Sequence, residues 1–192
     1  MYKRQGQSLT HLLGLTLGLF AVWVLLSGKF ETRFLLIGFG SSLVISFICF
    51  PLLMIKNPKT GKEFFILKMN YIKFIPYSLW LLKEIFKSTL DVTREIFKIH
   101  VNYESRILYF SMPFENPMAS VVLANSIILT PGTITVDVME DGVFEVHAIN
   151  KTAADDMLSG RMPNKVAALF GEKCTFRPMP EDEILDIPKE AR

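Results

Sequence analysis

Only two cysteines, Cys49 and Cys174, occur in 192 residues, one in each half of the chain. So few, so placed, they exclude a disulfide framework and a cysteine-ligated cluster. The chain also lacks a GxxxxGK[ST] phosphate loop and a Gly-rich dinucleotide loop, and with them the nucleotide chemistry those loops serve. Charge is missing from two long stretches. No Asp, Glu, Lys or Arg occurs in the 24 residues from Gln5 to Gly28, or in the 22 from Phe34 to Ile55. Ion and proton pathways through a bilayer need ionisable side chains at depth, so these two stretches alone are excluded as a translocation path. The small net charge of +2 is a cancellation. Residues 1–99 carry 13 basic and 5 acidic side chains, whereas residues 100–192 carry 8 and 14. Eleven of the sixteen Phe fall in the first part. The acidic second part argues against a nucleic-acid partner.

At about 1.5 Å rise per residue, either uncharged run is long enough to cross a hydrocarbon core of roughly 30 Å. The expected spans are residues 9–28 and 34–55, an antiparallel pair joined by Lys29-Phe30-Glu31-Thr32-Arg33. A cleaved signal peptide is the other reading of the first run, since Lys3-Arg4 precedes it. Its length, and the lack of an Ala-x-Ala-like site after Gly28, favour a span. Small residues are spaced for helix contact, Gly14 and Gly18 as a GxxxG, and Gly38, Ser42 and Ser46 every four residues. The second run ends in a turn with Lys56, Lys59 and Lys62. With Lys3 and Arg4, these lysines place both outer ends of the pair on the cytoplasmic side of a cell membrane.

Residues 64–99 read as an amphipathic helix. Ile72, Ile75, Leu79, Leu82, Phe86, Leu90 and Phe97 fall on one stripe; Glu84, Lys87, Asp91, Arg94, Glu95 and Lys98 fall on another, with Glu84/Lys87 and Lys87/Asp91 at pairing distance. The expectation is an interfacial helix leading into the cytoplasm, the competing reading a third, tilted span from Phe64 to Leu82. Together these segments make 1–99 a membrane region.

Residues 100–177 predict a small cytoplasmic α+β domain and 178–192 an acidic tail. The expected elements are a strand over 106–112, a helix over 117–128, strands over 133–139 and 143–149, a helix capped by Thr152 and interrupted at Gly160 and Pro163, and a last strand over 173–177. That order is a ferredoxin-like split βαβ. In the hairpin, a three-residue loop from Glu140 to Gly142 pairs Val138 with Phe144, Asp137 with Glu145, Val136 with Val146, Thr135 with His147 and Ile134 with Ala148. The outward Asp137, Glu145 and His147 are too few for a metal site, so a solvated or docking face is expected. No metal, cofactor or catalytic constellation is expected.

At Leu123-Ala124-Asn125-Ser126-Ile127-Ile128-Leu129-Thr130-Pro131-Gly132-Thr133, followed by Val136-Asp137, the chain resembles the E subunit of Mrp/Mnh-type multisubunit cation/proton antiporters. Pro76, Leu79-Trp80, Glu84-Ile85, Lys87-Ser88 and Leu90-Asp91-Val92 resemble the helix that precedes that block in the family. Ile128 departs from the Thr often found at its position. The resemblance implies an accessory or assembly subunit, without a catalytic site of its own, of a monovalent cation (Na+)/proton antiporter. Its partners would be the other, larger subunits and the lipid bilayer. The same resemblance extends to Mrp-like ion-pumping modules of membrane-bound hydrogenases and related redox complexes. A free-standing, membrane-tethered α+β binding protein is the alternative of another class. Gly14, Gly18, Gly38, Ser42 and Ser46 are the expected helix contacts. Asn125, Ser126, Thr130, Pro131, Gly132 and Thr133 form the signature turn, with the Asn125 amide expected to tie down turn backbone. Glu84 and Asp91 are the acids that could touch a proton path, against a reading as a solvated face.

Overall fold

The computed structural model describes residues 3–57, 59–65, 71–98, 104–139 and 141–180. Packing divides the chain into two compact units, Met1–Lys68 and Met69–Arg192. The amphipathic helix, grouped by composition with the first part, packs with the second.

In the first unit, α1 (Lys3–Ser27) and α2 (Thr32–Cys49) form a helical pair, followed by a 3-10 turn (Phe50–Leu53) and a hairpin of β1 (Met54–Lys56) and β2 (Glu63–Phe65). Leu9–Ser27 and Thr32–Leu53 are long and apolar enough to cross a membrane. The α-helix stops at Cys49 instead of running to Ile55, because Pro51 lacks the N–H that would extend the ladder. Ile55 lies in β1. Phe64 and Phe65 likewise lie in β2, so the expected helix start at residue 64 is a strand. The three-lysine turn is the tip of this hairpin. There the Asn57 side-chain oxygen accepts from the N–H groups of Lys59 (2.9 Å) and Thr60 (3.2 Å), and Lys56 pairs with Glu63 at 3.4 Å.

Gly38, Ser42 and Ser46 are the buried residues of α2, and Thr16 is the buried polar residue of α1. Phe20 meets Phe39 edge-on at 5.6 Å. A Cβ on Gly38 would stand 2.2 Å from the Trp23 ring, so this glycine is what lets the indole in. Gly14 and Gly18 are exposed, with nothing within 4 Å of an added Cβ. The GxxxG therefore lies outside the α1–α2 seam, on a face of α1 turned away from its partner helix.

In the second unit, α3 (Tyr71–Ile96) precedes β3 (Arg106–Ser111), α4 (Pro117–Leu129), β4 (Thr133–Val138), β5 (Val143–Ala148), α5 (Lys151–Leu158), α6 (Arg161–Phe170) and β6 (Arg177–Met179). The strands form one antiparallel sheet in the order β4-β5-β3-β6. Its inner face carries Leu108, Phe110, Phe144, Val146 and Ala148, with Phe110 stacked on Phe144 at 5.1 Å. Leu123 and Ile127 of α4, Met157 of α5 and Val166 of α6 complete this core.

Four expectations are corrected here. First, the hairpin begins as predicted, Val138 opposite Phe144 and Asp137 opposite Glu145. A bulge at Val136 then shifts the register, so that Thr135 faces Val146 and Ile134 faces His147. The extra residue turns Ile134 and Val136 outward, each 55% exposed, and aims Thr135 at α4, where its hydroxyl donates to the Ala124 carbonyl at 3.2 Å. Second, Asn150, not Thr152, caps α5, its side-chain oxygen accepting from Ala153 N–H at 2.8 Å. Third, Gly160 (φ +68°) separates two helices, α5 and α6, where one interrupted helix was expected. Fourth, the last strand is Arg177–Met179, with Pro178 at a sheet edge where proline is tolerated. The first residues assigned to the acidic tail thus belong to the sheet. Residues 181–192, like Glu140 of the hairpin loop, lie outside the described residues.

Gly38→Leu is expected to destabilise the helical pair by about 1–3 kcal/mol through overpacking against Trp23. Gly40→Leu, where an added Cβ meets nothing within 4 Å, serves as the control. Thermal aggregation of the full chain in detergent measures both; equal midpoints would show that the Gly38–Trp23 contact does not hold the pair.

Candidate functional site

One side of α3 faces the α+β core and takes the acids of the polar stripe with it, while Lys87 and Arg94 stay exposed. Tyr77 is 7% exposed and Glu84 9% exposed, while Trp80, Leu81, Ser88, Asp91 and Val92 are half-buried on the same side. The residues 77, 84, 88 and 91 share one face because an α-helix turns once in 3.6 residues. The apolar stripe, from Ile72 and Ile75 to Phe97, is exposed on the opposite face.

Two contacts fix this arrangement, and both involve the signature block. The Tyr77 hydroxyl lies 2.7 Å from Ser126 Oγ. Ser126 Oγ donates to the Val122 carbonyl at 2.6 Å, leaving Tyr77 as donor in the pair. Burial raises the Tyr77 phenol above its usual value of 10.0, an effect the Ser126 hydrogen bond partly offsets. Further along α3, Val92 Cγ2 would meet a Cβ on Gly132 at 3.3 Å. Gly132 has φ +96°, the left-handed position of the Pro-Gly turn.

Threonine hydroxyls hold the turn itself. Thr130 Oγ1 and Thr133 Oγ1 each stand 2.8 Å from the Ile127 carbonyl, closing the end of α4. The two oxygens are 3.1 Å apart. Gly132 accepts from Ile149 N–H at 2.9 Å, which ties the turn to the end of β5. Asn125 was expected to tie down this turn. Its side chain is exposed on the outer face of α4, and the threonines do that work instead.

Between α3, the signature turn, α5 and α6 lies a cleft of about 370 Å³. It brings together Glu84 and Asp91 with Thr130, Pro131 and Thr133, residues that the sequence places in separate motifs. Asn125, Gly14 and Gly18 are not among its lining residues. Across the cleft Arg161 Nη1 stands 3.6 Å from Glu84 Oε1 and also hydrogen-bonds Asp156, which in turn lies 3.8 Å from Lys87 Nζ. The hydrogen bond with Asp156 raises the Arg161 pKa above its usual value. Glu84 therefore has its cation in α6 rather than in Lys87, one turn away on its own helix. Asp91 keeps an i+3 partner, but it is Arg94, at 3.5 Å. With two acids against two bases, the chain from Glu84 to Lys87 is electroneutral. It orients α3 and leaves none of the four charges alone. In sequence Asp155-Asp156 reads as charge at a helix start, and nothing local in the chain signals the approach of Arg161 and Asp156 to residue 84.

The family model described as Na+/H+ ion antiporter subunit matches residues 16–168, which run from α1 through α6. The chain belongs to this family. The E1 subunit of the Na(+)/H(+) antiporter of Staphylococcus haemolyticus is 23% identical over 140 residues, which are 72% of this chain and 82% of that protein. The corresponding subunit of Staphylococcus aureus is 26% identical over 129 residues, 67% and 76% of the two chains. With the match to the family, these relatives make the chain an E subunit of the Mrp/Mnh type. A solved chain of the membrane-bound sulfane sulfur reductase, an archaeal respiratory membrane complex, shares its fold. The TM-score is 0.55 at 24% identity, covering 72% of this chain and 83% of that one. The matched span takes in the Tyr77–Ser126 contact and the whole cleft.

Tyr77→Phe is expected to cost about 1 kcal/mol at neutral pH, the usual net worth of one such hydrogen bond. The pH dependence has a definite sign. The phenol's pKa is raised on folding, so its contribution is fully present below about pH 10 and is lost as pH rises through the folded value. The stability of Tyr77→Phe should therefore fall less steeply than that of the wild type above about pH 10. Unfolding of the full chain in detergent across pH 7–11 checks this, and parallel alkaline slopes would contradict it.

Proposed function

We propose that this E subunit is an accessory and assembly component of a multisubunit monovalent cation (Na+)/proton antiporter in the cell membrane. In this reading α1 and α2 cross the bilayer and the α+β domain, a ferredoxin-like split βαβ sandwich, lies on the cytoplasmic side. The observation that carries it is the family match together with two spans from which Asp, Glu, Lys and Arg are absent between Leu9 and Ser27 and between Phe34 and Leu53. Such a pair provides anchorage and packing surface and leaves ion translocation to other subunits. The side assignment is supported by the lysines of the hairpin tip, Lys56, Lys59 and Lys62. The sandwich is supported by the β-α-β-β-α-β element order and an all-antiparallel sheet. Within the cleft, Glu84 and Asp91 act as positioning charges for α3. The helix-packing role proposed for Gly38, Ser42 and Ser46 is internal to the pair. Gly14 and Gly18 offer an open face to a further helix.

A second reading has one observation on its side, the fold likeness to a chain of a respiratory membrane complex. In that case the E subunit serves an Mrp-like module that couples redox chemistry to ion pumping.

Tagged chain expressed at its native level and purified in mild detergent should bring down larger antiporter-type membrane subunits. Metal-cluster subunits among the copurifying chains would favour the second reading, and a chain purified alone would overturn both. Deleting the subunit should abolish sodium tolerance. Glu84→Gln and Asp91→Asn together should leave antiport within about twofold of wild type, and its complete loss would place the two carboxylates on the proton path.

A further inference from the structure

The seam between α3 and the α+β core uses one side of the helix and leaves the other bare. Ile75, Leu79, Leu82, Phe86, Leu90 and Phe97 are each at least half exposed and form one stripe along the helix. Thr93, between Leu90 and Phe97, is the one hydrogen-bonding side chain on that stripe. A protein-binding surface of this length would carry about one hydrogen bond per 100–200 Å². Most charges of α3 are sorted as well, the exception being Lys73, which lies on the domain side and donates to the Ala168 carbonyl at 3.3 Å. With a step of about 100° per residue, Glu84, Asp91 and Glu95 lie on the domain side, close to the direction of Tyr77. Lys83, Lys87 and Arg94 lie on one flank, between the domain face and the stripe. Lys87 and Arg94 have acidic partners, whereas Lys83 forms no ion pair among the described residues. An apolar stripe beside a cationic flank, with the acids withdrawn to the far side, is complementary to acyl chains beneath anionic headgroups.

We propose that α3 lies in the interface of an anionic bilayer. Its stripe rests against acyl chains, Lys83 and its flank face phosphate-bearing headgroups, and the α+β domain is fixed to the opposite face. The helix is then a plank with two wetted states exchanged for two contacts, lipid on one side and the Tyr77, Glu84 and Val92 seam on the other. This gives the domain one orientation toward the membrane surface, with the charged cleft on the side of α3 away from lipid. The inference rests on the membrane placement proposed above and not on which complex owns the subunit.

The test uses the native chain in its purified complex, reconstituted into nanodiscs of phosphatidylethanolamine with either photoreactive phosphatidylglycerol or photoreactive phosphatidylcholine. After illumination, lipid adducts should map to residues 74–90 as well as to 9–53. The α3 yield should be several-fold higher with phosphatidylglycerol. Adducts confined to 9–53 would overturn the inference while leaving the membrane reading intact, and no adducts anywhere would remove that reading too. Equal α3 yields from the two lipids would overturn the assignment of anionic headgroups. A neighbouring subunit covering the stripe would appear as α3 adducts only after the complex is dissociated, and would also overturn it. As a second measurement, Lys83→Glu should lower the phosphatidylglycerol adduct yield on α3 several-fold without changing the yield on 9–53; an unchanged α3 yield overturns the headgroup contact.

Discussion

A tyrosine hydroxyl cannot be buried without a partner at tolerable cost, and in this protein the partner of Tyr77 is Ser126. That one bond joins the amphipathic helix to α4 and sets the rotation of α3 about its own axis. Once residue 77 points inward, the helical repeat carries Glu84, Ser88 and Asp91 inward with it and turns Ile75, Leu79, Leu82 and Phe86 outward. Val92 against Gly132 repeats the constraint fifteen residues on, about 22 Å along the helix at 1.5 Å per residue. Two pins at that separation oppose rotation of the helix and swinging of its end. The cleft on one side and the bare stripe on the other are consequences of the same choice.

This is also where sequence reasoning meets its limit. Periodicity shows that α3 has an apolar and a polar face, but it does not say what covers each of them. A polar stripe with i+3 and i+4 partners reads most simply as solvated. Here its acids turn toward the domain, and Glu84 and Lys87 take partners from α6 and α5, far along the chain, while Asp91 keeps the local Arg94. The clues that point the other way are Tyr77, seven residues before Glu84 on the same face, and Ser126 in the signature block. Both are legible as residues, and their proximity is not. The GxxxG of α1 shows the same limit. Spacing marks Gly14 and Gly18 as suited to close approach, yet the approach to α2 is made through Gly38 and Trp23.

Other elements were legible because local chemistry decided them. The two apolar runs, the Pro-Gly turn and the first pairs of the β4–β5 hairpin follow from composition and turn geometry alone. Legibility fails at Val136, where a bulge inserts one residue with no special residue type to announce it. It fails at Pro178, because the general exclusion of proline from strands has an exception at edges. It fails again at Asn150-Lys151-Thr152, where two good capping residues lie two positions apart and only packing decides between them.

The ion-pair chain in the cleft is better understood as orientation than as stabilisation. Arg161 is about half exposed, and so is Lys87, so water already screens much of their attraction for Glu84 and Asp156. Glu84 is different. Its carboxylate is nearly buried, and a buried charge without a counter-charge is costly. The guanidinium therefore matters chiefly because it permits Glu84 to sit beneath α3. A carboxylate held this way restricts how the helix and α6 can be arranged, since any rotation that parts it from Arg161 leaves it desolvated and alone. Hydrogen bonding at Tyr77, close packing at Gly132 and charge matching at Glu84 thus impose the same helix rotation by three independent means. Such redundancy suits a helix whose other face is apolar, exposed and proposed to rest against lipid. A polar face free to turn outward would let the stripe roll onto the core instead.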